Sequence, residues 1–200
     1  VRGAGSPAAV HRRRRLVGVV VAVAAVVLAV VAIVPRIDHA VRDITLPLND
    51  AGVIRVQAAD KHLDPALIAA VIFAETKFDP RTSAAGAEGL MQILPDTARF
   101  LAHLSGGTRF TTADLATPSV NVAYGSYYLR YLLNHYRGQE LPAVAAYNAG
   151  LANVDAWVAD GGGRLTVADI PFPETRAYVR RVLQAQVDYR ADYPHELGLS

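Results

Sequence analysis

The run "LVGVVVAVAAVVLAVVAIV", Leu16 to Val34, holds nineteen residues without a single charge. At about 1.5 Å per residue, a helix of that length crosses the roughly 30 Å hydrocarbon layer of a bilayer. It reads as a transmembrane helix. Immediately before it stands "HRRRR", His11 to Arg15, whereas the far side carries only scattered charges such as Arg36, Asp38 and Arg42. The positive-inside bias then makes residues 1–15 a cytoplasmic basic tail and 16–34 a signal anchor, with everything after it outside the cytoplasm. The alternative is a cleaved signal peptide and a secreted chain. Its apolar core is usually shorter, about 7–15 residues, although "DHA" before Val41 loosely resembles a small-residue cleavage site.

Residues 35–48 read as a linker, mixed in charge and bracketed by Pro35 and Pro47. Extended at about 3.5 Å per residue, the linker holds the remainder of the chain within roughly 45 Å of the bilayer. That remainder, 49–200, is enough for one domain with a real core. Seven of the 20 Lys and Arg and two of the 18 Asp and Glu precede Asn49, leaving 13 against 16 and a formal charge of −3. That is a poor surface for nucleic acid. There is no cysteine, which excludes disulfides, thiolate chemistry and a lipid-modified cysteine. The six histidines show neither HExxH nor paired spacing, so no metal or other cofactor is expected.

The pattern beyond the linker is helical almost throughout. Asp64 followed by Pro65 is an N-cap and first-turn pair opening a helix through Glu75, which Pro80 is expected to close. Further helices are expected at 49–61, 95–103, 118–136, 142–149, 153–159 and 174–189. Gly138, Gly150 and Gly161–Gly163 fall where helices would end. No alternating β-branched run is present, which leaves room only for a short hairpin.

Glu75 ends the apolar run of the firmest helix. Ile68, Val71 and Ile72 lie seven, four and three residues before it, so they share its face, and that face is expected to point into a core. A carboxylate so placed is either an acid with a raised pKa or a structural glutamate paired with a base such as Arg176 or with a backbone amide. "SAAGAEGLMQ" comes next, with Gly86 and Gly89 in a turn that needs backbone freedom. Later come "AYNAG", with Tyr147 and Asn148 at a helix end, and "PFPETRAYV", with Glu174 and Tyr178 four residues apart at a helix start.

In this order and spacing, "AETKFDP", "SAAGAEGLMQ", "AYNAG" and "PFPETRAYV" resemble the motifs of the soluble-type lytic transglycosylases of the goose-lysozyme-like superfamily. The resemblance spans roughly Asn49 to Tyr189. It implies a mostly α, lysozyme-like helical domain with a saccharide groove, preceded here by the one N-terminal transmembrane helix. It also implies a peptidoglycan partner and Glu75 as sole catalytic acid/base. Met91 and Gln92 become groove contacts, Ser83 helps position the sugar, and Tyr147, Asn148, Glu174 and Tyr178 surround the glutamate and the peptide-bearing sugar. The chain departs from the pattern twice. Thr76 stands where serine usually follows the glutamate, and the interval to Ser83 is one residue shorter.

Each residue also has a plainer reading. Tyr147 packs in a core, Asn148 caps a helix end, Glu174 complements a helix dipole, Ser83 makes a turn, and Met91 is half core and half groove floor. The aromatic stretch Tyr124 to Tyr136 reads as core plus helix surface. Breaking a β-1,4 glycosidic bond needs a protonated acid at the leaving oxygen. Hydrolysis commonly needs a second carboxylate, for which Asp79, Glu88 and Asp96 are the nearby candidates. A lytic transglycosylase needs only the first, because the C6 hydroxyl of the muramic acid attacks its own C1. A hydrolytic muramidase and a non-catalytic wall-binding module are the alternatives.

Overall fold

The computed structural model describes Leu28, residues 44–106 and residues 109–199. The expected membrane segment, 16–34, lies outside the described residues apart from Leu28, and so does the expected cleavage site. Among the described residues, no helix is long and apolar enough to cross a membrane.

A compact unit begins at Leu46 and is built from helices. They are α1 (Ala51–Lys61), α2 (Pro65–Thr76), α3 (Pro95–Ser105), α4 (Pro118–His135), α5 (Glu140–Ala149), α6 (Leu151–Asp160) and α7 (Pro173–Asp192). Short 3-10 helices at Thr112–Ala116 and Val167–Asp169 escaped the sequence reading. Each begins at a threonine and an aspartate that cap one another. The only pairing of extended backbone among the described residues is the isolated bridge between Glu88 and Ile93.

Helix α2 is central. Every residue from Ala66 to Ile72 is buried, so this helix has no solvated side along that stretch. The burial extends beyond the face that Ile68, Val71 and Ile72 share with Glu75: "PALIAAVI" is apolar all round and is enclosed by its neighbours, α7 above all. Asp64 fixes its start. One carboxylate oxygen accepts from Ala66 N–H at 3.0 Å, and the other accepts from Gln186 Nε2 and Arg190 Nη2, each at 2.7 Å. The same side chain therefore caps α2 and ties it to α7.

Pro80 does not end α2. The helix stops at Thr76 because Lys77 and Phe78 both adopt left-handed backbone, φ 54° and 64°. Two consecutive non-glycine residues in that region cost on the order of 1–3 kcal/mol each. Phe78 is buried, with its ring edge-on to Tyr189 at 6.2 Å, which helps offset the cost. Asp50, at φ 54°, likewise delays α1 until Ala51. Pro142 lies inside α5, in its first turn, where the missing N–H has no helical partner to lose.

Cross-helix hydrogen bonds serve where a disulfide might. Tyr189 donates to Pro47 O at 2.6 Å and Tyr193 to Leu46 O at 2.8 Å, fastening the entry of the domain to α7 and the residue after it. The fully buried Ile54, Leu67, Ile68, Ile72, Leu129 and Leu132 belong to one contiguous core. Each contributes up to about 1.5–3 kcal/mol of burial.

Candidate active site

Glu75 sits in the last turn of α2, half-buried, where the surrounding protein strips water from one side of the carboxyl. That burial raises its pKa from the ordinary 4.5 to about 7. Tyr178, from the second turn of α7, donates its hydroxyl to Glu75 Oε1 at 2.8 Å and works in the opposite direction, as do the more distant charges of Arg181 and Arg81. Tyr147, from the end of α5, is close enough for the Glu75 charge to add to burial in raising its own pKa. Glu75 has no ion pair among the described residues. Arg176 is turned away, donating to Ile170 O at 2.6 Å and Pro171 O at 3.3 Å. The structural-pair alternative with Arg176 is therefore not what is seen.

The glycine-rich loop is bound tightly to this helix end. Thr76 Oγ1 donates to Leu90 O at 2.8 Å, with Ile72 O also within 3.2 Å, so the hydroxyl that threonine shares with serine has a structural task. Asn121, wholly buried on α4, accepts from Met91 N–H at 2.8 Å and donates to Glu88 O at 2.7 Å and Leu115 O at 3.1 Å. Gly89 has φ +74°, and a Cβ there would lie 2.3 Å from Asn121 Nδ2. Only glycine admits that approach. Gln92, itself left-handed at φ 48°, donates from Nε2 to Arg81 O at 2.7 Å and Gly89 O at 2.9 Å, closing the loop on itself.

Two adjoining hollows open alongside Tyr147 and Asn148, and Glu75 lines neither of them. One, of about 240 Å³, is lined by Gln92, Ile93, Leu94, Thr97, Tyr128, Tyr147, Asn148, Ala149 and Gly150. The other, of about 400 Å³, is lined by Asn148, Ala149, Phe172, Pro173, Glu174 and Thr175. They share Asn148 and Ala149, and together they make a cleft with Glu174 at its far lip. A larger hollow, about 610 Å³, lies elsewhere, between the end of α1 and α4. None of the site residues lines it, so size does not select the active site here.

Residues 52–168 match the family described as "Transglycosylase SLT domain". The chain belongs to that family. It is 31% identical over 159 residues to the "Soluble lytic murein transglycosylase" of Escherichia coli K12, covering 76% of this chain and 24% of that protein. To the protein of the same name from Salmonella typhimurium it is 32% identical over 167 residues, 80% and 25% of the respective chains. Among solved structures, an inactive glutamate-to-glutamine mutant of the lytic transglycosylase Slt from Pseudomonas aeruginosa matches with a TM-score of 0.70 and 32% identity, covering 75% of this chain and 25% of that one. The 70-kDa soluble lytic transglycosylase from Escherichia coli gives the same TM-score at 29% identity, covering 74% and 25%. The chain spans about a quarter of the length of these relatives. The helical fold of this SLT domain is thus the lysozyme-like fold of the lytic transglycosylases.

The SLT fold gathers most of the expected residues and redistributes their tasks. Met91 is the correction. It is fully buried against Gly125, where an added Cβ would lie 2.3 Å from Met91 Sδ, so its side chain fills core instead of touching a ligand. Its carbonyl matters more, accepting from the Tyr147 hydroxyl at 2.9 Å. Ser83 holds the loop, accepting from Ala87 N–H at 3.0 Å. Asn148 caps nothing and instead accepts from the Thr175 hydroxyl at 2.8 Å, joining α5 to α7. Glu174 is exposed in the first turn of α7. Tyr178 lies four residues further along but turns inward to Glu75.

Among the candidate second carboxylates, Glu88 accepts from Thr82 at 2.8 Å, Asp96 pairs with Arg99, and Asp79 is exposed. None bonds to Glu75 or its tyrosine. No group of three or more His, Asp or Glu side chains comes together as a metal site would need among the described residues. The sequence reading missed Asn121, Thr175, Tyr128, Arg81 and Arg181. Asn121 left a signal, since it lies on the same α4 stripe as Gly125, Leu129 and Leu132, a polar residue among core positions.

Proposed function

We propose that this domain cleaves the β-1,4 bond between N-acetylmuramic acid and N-acetylglucosamine in peptidoglycan without water, leaving 1,6-anhydromuramic ends. The observation that carries this reading is a half-buried carboxyl, raised to about 7, with a tyrosine as its hydrogen-bond partner and, among the described residues, no second carboxylate bonded to it. Glu75 gives its proton to the bridging oxygen as the C1–O bond breaks. The charge it then acquires stabilises the oxocarbenium-like sugar, and Tyr178 holds that charge in place. The C6 hydroxyl of the same muramic residue attacks C1 and returns its proton to Glu75. Because that hydroxyl is tethered beside C1, its effective molarity reaches ~10⁵–10⁸ M in favourable cases, and no base is needed to orient water.

The cleft is the place for the glycan, with Tyr147, Asn148, Gln92 and Glu174 along its walls. The name of the relatives, soluble lytic murein transglycosylase, and the inactivity of a glutamate-to-glutamine mutant of one of them support the same reading. We further propose that residues 16–34 hold the domain at the outer face of the cytoplasmic membrane, on the strength of the basic run before them. The test of the chemistry is mass analysis of muropeptides released by the purified protein. Products one water lighter than muramidase products, without reducing muramic ends, are expected. Mainly reducing ends would assign the reaction to water.

A further inference from the structure

Two arginines remote in sequence meet the end of α2. Arg81 Nη2 donates to Glu75 O at 3.0 Å, and Arg181 Nη1 donates to Ala74 O at 3.4 Å. These adjacent carbonyls belong to the last turn, which lacks onward helical partners and carries the negative end of the helix dipole. Capping uses one N–H of each guanidinium and leaves several free. Both side chains are exposed, and neither is paired with a carboxylate among the described residues. Arg81 is also preset from behind, its carbonyl accepting from Gly89 N–H at 3.1 Å and Gln92 Nε2 at 2.7 Å.

For a general acid this placement is costly. The charges of both arginines favour the ionised form of Glu75, against the burial that keeps its proton. A domain of formal charge −3 from Asn49 onward does not carry such a pair as part of a generally basic surface. The cations therefore call for an anion supplied by the ligand. We propose that Arg81 and Arg181 form a carboxylate-recognition site beside Glu75, which engages the acidic side arm of the muramoyl residue at the bond to be cleaved. This rests on the reaction proposed above and adds its specificity. The carboxylate has two possible sources, the free lactyl group of a peptide-free strand or an acid within the attached peptide. Once bound, it neutralises the arginines and lets Glu75 keep its proton when it is needed.

The test compares kcat/KM of the full chain on matched glycan strands. Peptide-free and peptide-bearing strands are each used with native carboxylates and with those carboxylates converted to neutral amides. The wild type is expected to favour the charged form in at least one pair, and the pair in which it does so identifies the source. In the double variant Arg81→Gln, Arg181→Gln the ratio of charged to amidated rates should fall roughly 10–100-fold, the range for losing charged hydrogen bonds. Glutamine retains an N–H for the helix carbonyl, and circular dichroism checks the fold. Rates are read well below the Glu75 pKa of about 7, where the acid is protonated with either member of a pair, so that the ratio reports binding of the carboxylate and not Glu75 titration. An unchanged ratio, or a wild type indifferent to charge, overturns the site. The product masses are read separately, so a failure of the anhydro-forming reaction is distinguishable from a failure of carboxylate recognition.

Discussion

Tyr178 and Glu75, 103 residues apart, meet through a hydrogen bond of 2.8 Å from the tyrosine hydroxyl to Oε1. The donor favours the ionised carboxylate, whereas burial favours the protonated one and prevails. Removing the hydroxyl with Tyr178→Phe therefore raises the Glu75 pKa beyond about 7. The kcat/KM profile of the free enzyme, which needs protonated Glu75, should fall above about pH 7 in the wild type and at higher pH in the variant. A limb that stays put or moves down contradicts this arrangement.

Replacing the acid itself should be more drastic. Glu75→Gln is expected to lower kcat by at least ~10²–10⁴-fold, the range for a general acid, while glycan binding persists. Turnover of released muropeptides and binding to intact sacculi measure the two separately.

The same carboxyl ties stability to pH. Its folded pKa, about 7, lies above the ordinary 4.5, so between these values the folded domain retains a proton that the unfolded chain has lost. This stabilisation is complete below about pH 4.5, declines as pH rises, and is gone above about pH 7. The amount is on the order of 3 kcal/mol. Glu75→Gln should therefore stabilise the domain at about pH 8 relative to wild type, with the advantage shrinking toward pH 4.5. Urea denaturation at the two pH values reads it.

Asn121 organises the loop beside the acid. Asn121→Ala would leave Met91 N–H and the Glu88 and Leu115 carbonyls short of their partner, at a cost of about 2–4 kcal/mol. Asn121→Asp keeps the acceptor for Met91 N–H but cannot supply the two donated bonds. Gly89→Ala should cost at least as much as Asn121→Ala, because the new Cβ also falls 2.8 Å from Leu115 O. Thermal melts and turnover should decline together across the three variants.

Topology is checked by fractionation. The proposed anchor places the intact protein in the membrane fraction, with residues after the linker open to protease from outside. A soluble mature chain beginning near Val41 would instead show a cleaved signal.

Local signals were enough for much of the domain. Asp64–Pro65 marked the start of α2, Pro95 and Pro118 opened α3 and α4, and Gly150 separated α5 from α6, because caps and prolines act within one turn of chain. The position of Glu75 at the end of an apolar run also made a raised pKa legible. Other features depended on contacts between distant residues. Lys77 and Phe78 end α2 in a strained backbone whose cost the packing of Phe78 against Tyr189 helps to offset. Met91 belongs to the core because Gly125 makes room for it, and Tyr178 reaches Glu75 only because α7 lies against α2. Arg81 and Arg181, which nothing in the sequence sets apart from other exposed arginines, acquire their place beside the acid by sharing the free carbonyls at one helix end. Helix limits follow from neighbours along the chain; the partners of each side chain follow from how the helices pack.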